Sequence, residues 1–361
     1  MKFSDVLDIQ NGRNQRQVEN ENGKYPIYGS GGVMGRADDF ICDAGTVIIG
    51  RKGNINNPIF VNEPFWNVDT AFGLVAHRDM LLPKYLFYFC VYFDFERLNT
   101  TVTIPSLTKA NLLQVDIDVP DIDKQRHVVN VLDKICQLID LQQRTLCDLD
   151  QLVKSRFVEL FGDCLSNPKG WKTKCLEDIA DVGSSKRVFV EELREDGVPF
   201  FRGTEVGALA EGKSVSPELF ITEEHYAALC SATGAPQIGD LLMPSICPDG
   251  RIWVVNTDKP FYFKDGRVLW IHAIDTSFNS IFLLYSLKDR IMTDYSSIAS
   301  GTTFAELKIF ALKKCKVFDA PLALQNEFAA FVEQVDKSKY CSQKFEELCH
   351  ELIKIYEQEW M

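Results

Sequence analysis

Between residues 123 and 161 the chain has no glycine and no proline, and apolar side chains fall at 128, 131, 132, 135, 138, 139, 146, 149, 152, 153, 157 and 160. That spacing is close to 3.5 residues, the period of a helix with one apolar stripe, and Gly162 is a natural stop. The stretch 323–360 repeats the pattern with Phe328, Phe331, Val332, Val335, Phe345, Leu348, Leu352, Ile353 and Tyr356. Both stripes thin midway, at QQRT (142–145) and DKSK (336–339), so one long helix or two with a break would fit each. The rest of the chain is patterned differently. Short β-branched and aromatic runs (TVIIG, PIFV, LLMP, IWVV, RVLWIHA) lie between Gly, Pro and Asn punctuation and predict strands. The stretch PKYLFYFCVYFDFERLN (83–99) predicts a buried helix whose aromatic rings pack a core.

The two helical patterns belong to a longer repeat. FSDVLDI (3–9) aligns with LEDIADV (176–182) at an offset of 173, and KYPIYG (24–29) with GVPFFR (197–202) at the same offset. GTVIIG (45–50) meets GDLLMP (239–244) at 194, so the second copy carries an insertion of about 21 residues. YLFYF (85–89) meets FLLYS (282–286) at 197, and KQRHVVNVLDKI (124–135) meets LQNEFAAFVEQV (324–335) at 200. The offset only grows, an order that chance similarity lacks. The pattern therefore predicts two copies of one α/β unit, 1–163 and 168–361, each ending in a helical segment. At 1.5 Å per residue a helix of about 38 residues is roughly 57 Å long, longer than a 120-residue domain can cover. The two helices are expected to pair antiparallel as a coiled coil, with the globular parts at opposite ends.

Composition narrows the functional classes. The chain has 361 residues, 46% hydrophobic and 25% charged, which is ordinary globular material for about two domains. The opening MKFSDVLDIQ has no apolar core of a secretory signal. The longest apolar run, YLFYFCVYF (85–93), is too short to span a bilayer. Eleven cysteines contain no C-x-x-C pair and do not cluster with the five histidines, so free thiols in a reducing cytoplasm are expected, with no zinc site. A net charge of −12 argues against a simple electrostatic nucleic-acid binder; local patches or a basic partner would have to supply attraction.

Catalytic motifs were sought and not found. YPIYGSGGVMG (25–35) suggests a phosphate loop, but Met34 stands where a dinucleotide fingerprint needs its third glycine, and the residues that follow read as a turn and a strand. NNPIF (56–60) is similar to the N-P-P-[YF] signature of adenine-N6 methyltransferases, yet Ile59 replaces the second proline and RIWV (251–254) keeps none of it. An Asn-Pro turn leading into a strand is the plainer reading. His77 and His272, at strand ends, read as structural residues.

What remains is a set of loops that vary between the copies and carry groups suited to DNA. The first copy offers Tyr28, Gly29, Ser30, Gly31 and Gly32, then Arg51, Lys52 and Asn54, then Ser106, Thr108 and Lys109. The second offers Arg202 and Thr204, then Ser245 and Arg251, then Thr302 and Thr303. Arg and Lys reach guanine edges or phosphates, Asn suits adenine, and hydroxyls and glycine amides suit phosphate oxygens. Singly each loop is an ordinary polar turn; their recurrence in both copies favours a shared role.

These residues carry a resemblance to a family. YPIYGSGGVMG with GTVIIGRKGNI and EPFWNVDTAFGL, VPFFRGTEV with GDLLMPSICPDGRI and IASGTTFAELKIF, and VDIDVPDIDKQRHVVNVLDKI together make the whole chain resemble the specificity subunit of type I restriction–modification systems. Asp121, Ile122 and DAPLALQ (319–325) depart from the Pro-Pro-Leu flavour of the family's spacer turn. The resemblance implies an α+β chain with two target-recognition domains in pseudo-two-fold repeat. These would be 1–120 and 168–320, with helical spacers at 121–167 and 321–361. It implies no catalysis by this chain. Each recognition domain would read one half of a bipartite site on double-stranded DNA, with the helices setting the gap; a rod of roughly 57 Å matches about 17 base pairs. The helices would dock two modification subunits through Val128, Leu132, Ile135, Leu149 and Leu152, and through Phe328, Val332 and Leu352. S-adenosylmethionine, ATP and Mg are expected on those partners and on restriction subunits, not on this chain, and no membrane is involved. Two other classes stay open on the residues alone: a stand-alone adenine-N6 methyltransferase using Asn57–Phe60, and a coiled-coil adaptor with no DNA role.

Overall fold

Alternation of side chains across a pleated strand decides where TVIIG goes. In the computed structural model, which describes residues 1–99, 104–301 and 305–360, this run is a strand buried at every position. Val47 and Ile49 face the main core, while Ile48 faces a second cluster with Cys42, Val61, Phe65 and Ala71. The chain divides into two compact units, Met1–Thr145 with Ser342–Met361, and Leu146–Cys341.

The first unit runs α1 (Phe3–Val6), β1 (Leu7–Asn11), β2 (Tyr25–Gly29), β3 (Gly32–Ala37), β4 (Thr46–Gly50), β5 (Ile59–Val61), β6 (Trp66–Asn67), β7 (Ala71–Ala76), α2 (Pro83–Tyr92) and α3 (Lys109–Leu112), and contains the beginning of α4 (Ile122–Phe161). One antiparallel sheet has the order β1-β7-β4-β5. A smaller sheet, β3-β2-β6, contains a parallel pair, with Ile27 beside Trp66 and Tyr28 beside Asn67. The aromatic stretch after residue 83 is helical only to Tyr92. There Phe93 turns extended, and Asp94 caps a separate 3-10 turn, Phe95–Leu98. Val128, Leu132 and Ile135 of α4 share the core with Tyr85 and Phe89 of α2 and with Cys349 and Ile353 from the far end of the chain. Gln143 donates to Glu346 at 2.9 Å on the surface of that packing.

The second unit takes the rest of α4 and continues with β8 (Thr173–Cys175), β9 (Asp181–Gly183), β10 (Val198–Phe201), α5 (Gly203–Ala210), β11 (Phe220–Ile221), α6 (Glu223–Thr233), β12 (Leu241–Pro244), β13 (Trp253–Val254), β14 (Tyr262–Phe263), β15 (Val268–His272), α7 (Ser280–Ile298), β16 (Ala299–Ser300), β17 (Glu306–Leu307), α8 (Ile309–Lys313), β18 (Lys316–Phe318) and the start of α9 (Leu322–Trp360). Its main sheet, β9-β15-β12-β13, has the strand order of the first unit's, and its small sheet, β11-β10-β14, again holds a parallel pair, β10 with β14. Phe157 and Phe161 of α4 pack on Phe282 and Phe328 in its core.

The repeat extends to single hydrogen bonds. Fully buried Gln125 accepts from the Leu82 amide (2.8 Å) and donates to the Met80 and Pro120 carbonyls. Fully buried Gln325 accepts from the Asn279 amide (2.9 Å) and donates to the Ser277 and Ala320 carbonyls. Each glutamine occupies the first turn of its long helix and ties that turn to the entrance of α2 or α7. Both helices run unbroken through QQRT and DKSK; polar residues there interrupt the stripe without interrupting the backbone ladder. The longer link between β10 and β12 in the second copy carries α5 and α6, while β11 takes the edge position that β3 has in the first unit.

Candidate nucleic-acid interface

Two stretches expected to be loops are regular structure. GSGGVMG is the tip and returning strand of a hairpin. Gly29 pairs with Gly32 across the two-residue turn Ser30-Gly31, and Gly32 takes the positive φ (+114°) that such tight turns favour. RGTEVG is the start of helix α5, because Glu205 at its third position accepts from the Arg202 amide (2.7 Å) and closes the first turn.

In the first unit the scattered candidates converge. The segment after β4 pairs with the segment before α3: Leu107 donates to the Arg51 carbonyl (2.9 Å), Gly53 donates to the Pro105 carbonyl (2.9 Å), and Lys52 bridges Ser106. The hairpin tip closes the group. A Cβ on Gly50 would lie 3.0 Å from that of Ser30 and 2.0 Å from the Asn54 carbonyl, so only glycine permits this approach. The segments that carry Ser30, Arg51, Lys52, Asn54 and Ser106 are thus drawn together. The Arg51 guanidinium lies 5.7 Å from the centre of the Phe72 ring, and neither Arg51 nor Lys52 pairs with a carboxylate among the described residues. Three other candidates have internal duties. Tyr28 packs its ring on Phe65, and burial, then Glu63, pushes its hydroxyl pKa upward. Thr108 caps α3 by accepting from the Asn111 amide, and Lys109 donates to the Ile9 carbonyl at 2.8 Å.

The second unit makes the corresponding closure: Leu307 donates to the Ser245 carbonyl (2.7 Å) as Leu107 does to Arg51. Here the candidates line a cleft of about 630 Å3 that takes in Arg202, Thr204, Ser245 and Arg251. Arg251 lies against α5, where a Cβ on Gly207 would come within 3.0 Å of its Nη1. The cations are held by acids. Arg202 pairs with Glu205 and, at 3.2 Å, with Glu218; Arg251 pairs with Asp249 (2.8 Å) and Glu211 (3.6 Å). Burial alone would raise the Glu205 carboxyl, but hydrogen bonds from the Arg202 side chain and amide and from the Thr204 hydroxyl outweigh it and pull the group down to about 2. Ser245 is only 2% exposed, so its backbone rather than its side chain shapes the cleft. Thr302 and Thr303 lie outside the described residues. Sequence reasoning missed Lys264 and Arg267, which also line the cleft. They flank the Asp265-Gly266 turn between β14 and β15, and a D-G pair between two cations was the available signal. Arg267 is held by Glu306.

The helix residues expected to dock partners divide by burial. Val128, Leu132, Ile135, Phe328 and Val332 are buried in the cores of their own units, so their side chains are closed to a partner. Leu149 is half-buried against the second unit's core. Leu152 and Leu352 are open, 48% and 47% exposed, as are Leu141, Leu348 and Ile355.

Features tested for catalysis have structural settings. Pro58 leads directly into β5, and Asn56 accepts from the Phe95 amide (2.8 Å), so NNPIF shapes a turn. His77 contacts Asp8 at 3.1 Å, and His272 stacks on Trp270 with ring centres 3.8 Å apart. Among the described residues no helix is long and apolar enough to cross a membrane, and no cluster of three or more His, Cys, Asp or Glu could hold a metal.

By fold the chain is a mixed α/β protein built from two copies of one unit with two long helices. The family model for the type I restriction modification DNA specificity domain matches residues 1–150 and again 168–348. The chain belongs to this family, the specificity subunits of type I restriction–modification systems. It is 22% identical over 323 residues to S.HindORF215P of Haemophilus influenzae, described as a type I restriction enzyme specificity subunit, covering 87% of this chain and 80% of that protein. It is 23% identical over 328 residues to the type I restriction enzyme MjaIX specificity subunit of Methanocaldococcus jannaschii, covering 82% and 70%. The fold is similar to that of the type I restriction–modification S subunit from M. genitalium, with a TM-score of 0.64 at 15% identity over 99% of this chain and 94% of that one. A structure from work on assembly and conformational transition of the type I R-M system gives a TM-score of 0.59 at 16% identity, covering 99% and 95%.

Proposed function

We propose that this chain is the sequence-reading subunit of a type I restriction–modification complex, with each unit reading one half of a bipartite site on double-stranded DNA. One observation carries the reading: residues far apart in sequence meet at the equivalent place in both units, closed by the same backbone bond (Leu107 to Arg51, Leu307 to Ser245). The faces they form differ in chemistry, as two recognition surfaces for unlike half-sites would. One carries, beside a glycine turn, cations with no acid partner among the described residues; the other is a cleft of acid-held arginines.

The methyl transfer then belongs to partners. We assign two modification subunits to the exposed apolar positions of the long helices, Leu141, Leu152, Leu348, Leu352 and Ile355, with S-adenosylmethionine bound on them, and ATP and Mg on restriction subunits where these join. That division accommodates a net charge of −12, since the partners supply much of the general attraction to DNA. The eleven cysteines are free thiols, as suits work in the cytoplasm.

Exchanging residues 1–120 for those of another specificity subunit, in cells that carry the modification subunits, tests the reading. The methylated motif should change in one half and stay unchanged in the other. A change in both halves, or in neither, would refute it.

A further inference from the structure

The hairpin tip of the first unit carries a feature that phosphate binding does not use. Val33 and Met34 are consecutive residues of β3 and are 62% and 63% exposed. Regular alternation would turn one of two neighbours inward. The register explains the exception: Tyr28 pairs with Val33 and Ile27 with Gly35, which leaves Met34 as the extra residue of a β-bulge. A bulge re-aims side chains locally, and this one leaves both apolar groups open on β3, the edge strand of the β3-β2-β6 sheet, next to the hairpin tip. The Met34 thioether lies over Gly29, where a Cβ would stand 2.6 Å from its sulfur. A Cβ on Gly31, Gly32 or Gly53 would meet no atom within 4 Å, so the tip is open to close approach from outside. Ser30, in the turn of the same hairpin, abuts Gly50, which precedes Arg51 and Lys52, neither of which pairs with a carboxylate among the described residues.

Apolar side chains beside a projecting hairpin tip, close to cations with no acid partner among the described residues, match one occupant. The major groove of B-DNA admits a two-stranded β-ribbon, and the thymine 5-methyl group is the apolar feature on its floor. We propose that the β2–β3 hairpin enters the major groove of the first half-site tip first, placing Val33 and Met34 against a thymine methyl while Arg51 and Lys52 hold the flanking phosphates. This rests on the recognition function proposed above and adds the base and the groups that read it.

The experiment uses the full chain in complex with its modification subunits and duplexes bearing the methylated motif, with each thymine of the first half-site replaced in turn by deoxyuracil, which lacks only the methyl. One position should bind about fourfold more weakly, the effect of about one buried methyl-sized group. The double variant Val33→Ser/Met34→Ser changes exposed residues and should leave the melting temperature unchanged. It should bind thymine and uracil duplexes equally at that position. Arg51→Ala or Lys52→Ala should instead weaken every duplex alike and lower the salt slope by about one. Insensitivity to uracil at every position of that half-site overturns the proposal, and so does sensitivity that survives in the double variant. A wild-type complex with no preference for the motif over random duplex overturns the recognition reading itself, and this proposal with it.

Discussion

Two polar residues show how much of this protein rests on single side chains. Gln125 and Gln325 are fully buried, and each spends both ends of its amide on backbone groups of the segment entering α2 or α7. Leucine in place of either would leave one amide and two carbonyls, most of them half-buried, without that partner, at about 1 kcal/mol per group lost. Gln125→Leu should therefore lower the urea midpoint of the first unit by the equivalent of about 3 kcal/mol. The surface change Gln151→Leu should shift it by less than about 0.5 kcal/mol. Glu205 makes a pH-dependent contribution. Its carboxyl is held at about 2, below its ordinary 4.5, so the stability it adds is fully present above pH 4.5 and is lost as pH falls toward 2. Melting curves recorded from pH 5 down to pH 3 should show a shallower acid loss in Glu205→Gln than in the wild type. An identical slope in the two proteins would contradict this account of the Arg202–Glu205 pair.

At the level of elements, local sequence was a good guide to periodicity and a poor one to the meaning of glycine. The 3.5-residue stripe located both long helices, and TVIIG, LLMP and RVLWIHA are strands in the structure, because period and β-branching act within a few residues. GSGGVMG and RGTEVG share glycines and polar groups but became a hairpin tip and a helix N-terminus. The difference lies in cross-strand pairing for the first and in Glu205 capping for the second. Continuity of α4 through QQRT bears on the half-site gap, for an unbroken helix transmits a change in length along its axis. Removing residues 138–144, one heptad and about two turns, keeps the stripe in phase and shortens the helix by roughly 10 Å. The gap between the methylated half-sites should shrink by about three base pairs; genome methylation mapping with an unchanged gap would reject a spacing role for the helix.

For the whole molecule, the repeat is the organising fact. Both units carry a four-stranded antiparallel sheet of the same order and a small sheet with a parallel pair, and both use the same buried glutamine. A shared sheet scaffold that carries unlike candidate faces is what makes exchange of residues 1–120 informative: the exchanged unit should bring its own face, so the motif reports that face alone. The sequence by itself determined the duplication, the helical segments, several of the strands and the family, because these depend on spacing along the chain. Tertiary structure decided the rest. Lys52 meets Ser106, and Arg202 and Arg251 line one cleft, only through the meeting of distant segments. Val128 and Phe328 turned from partner-docking candidates into core because globular parts and helices compete for the same apolar stripe. Exposure of Val33 and Met34 came from a register shift that no spacing rule encodes, since a bulge is a property of two strands together.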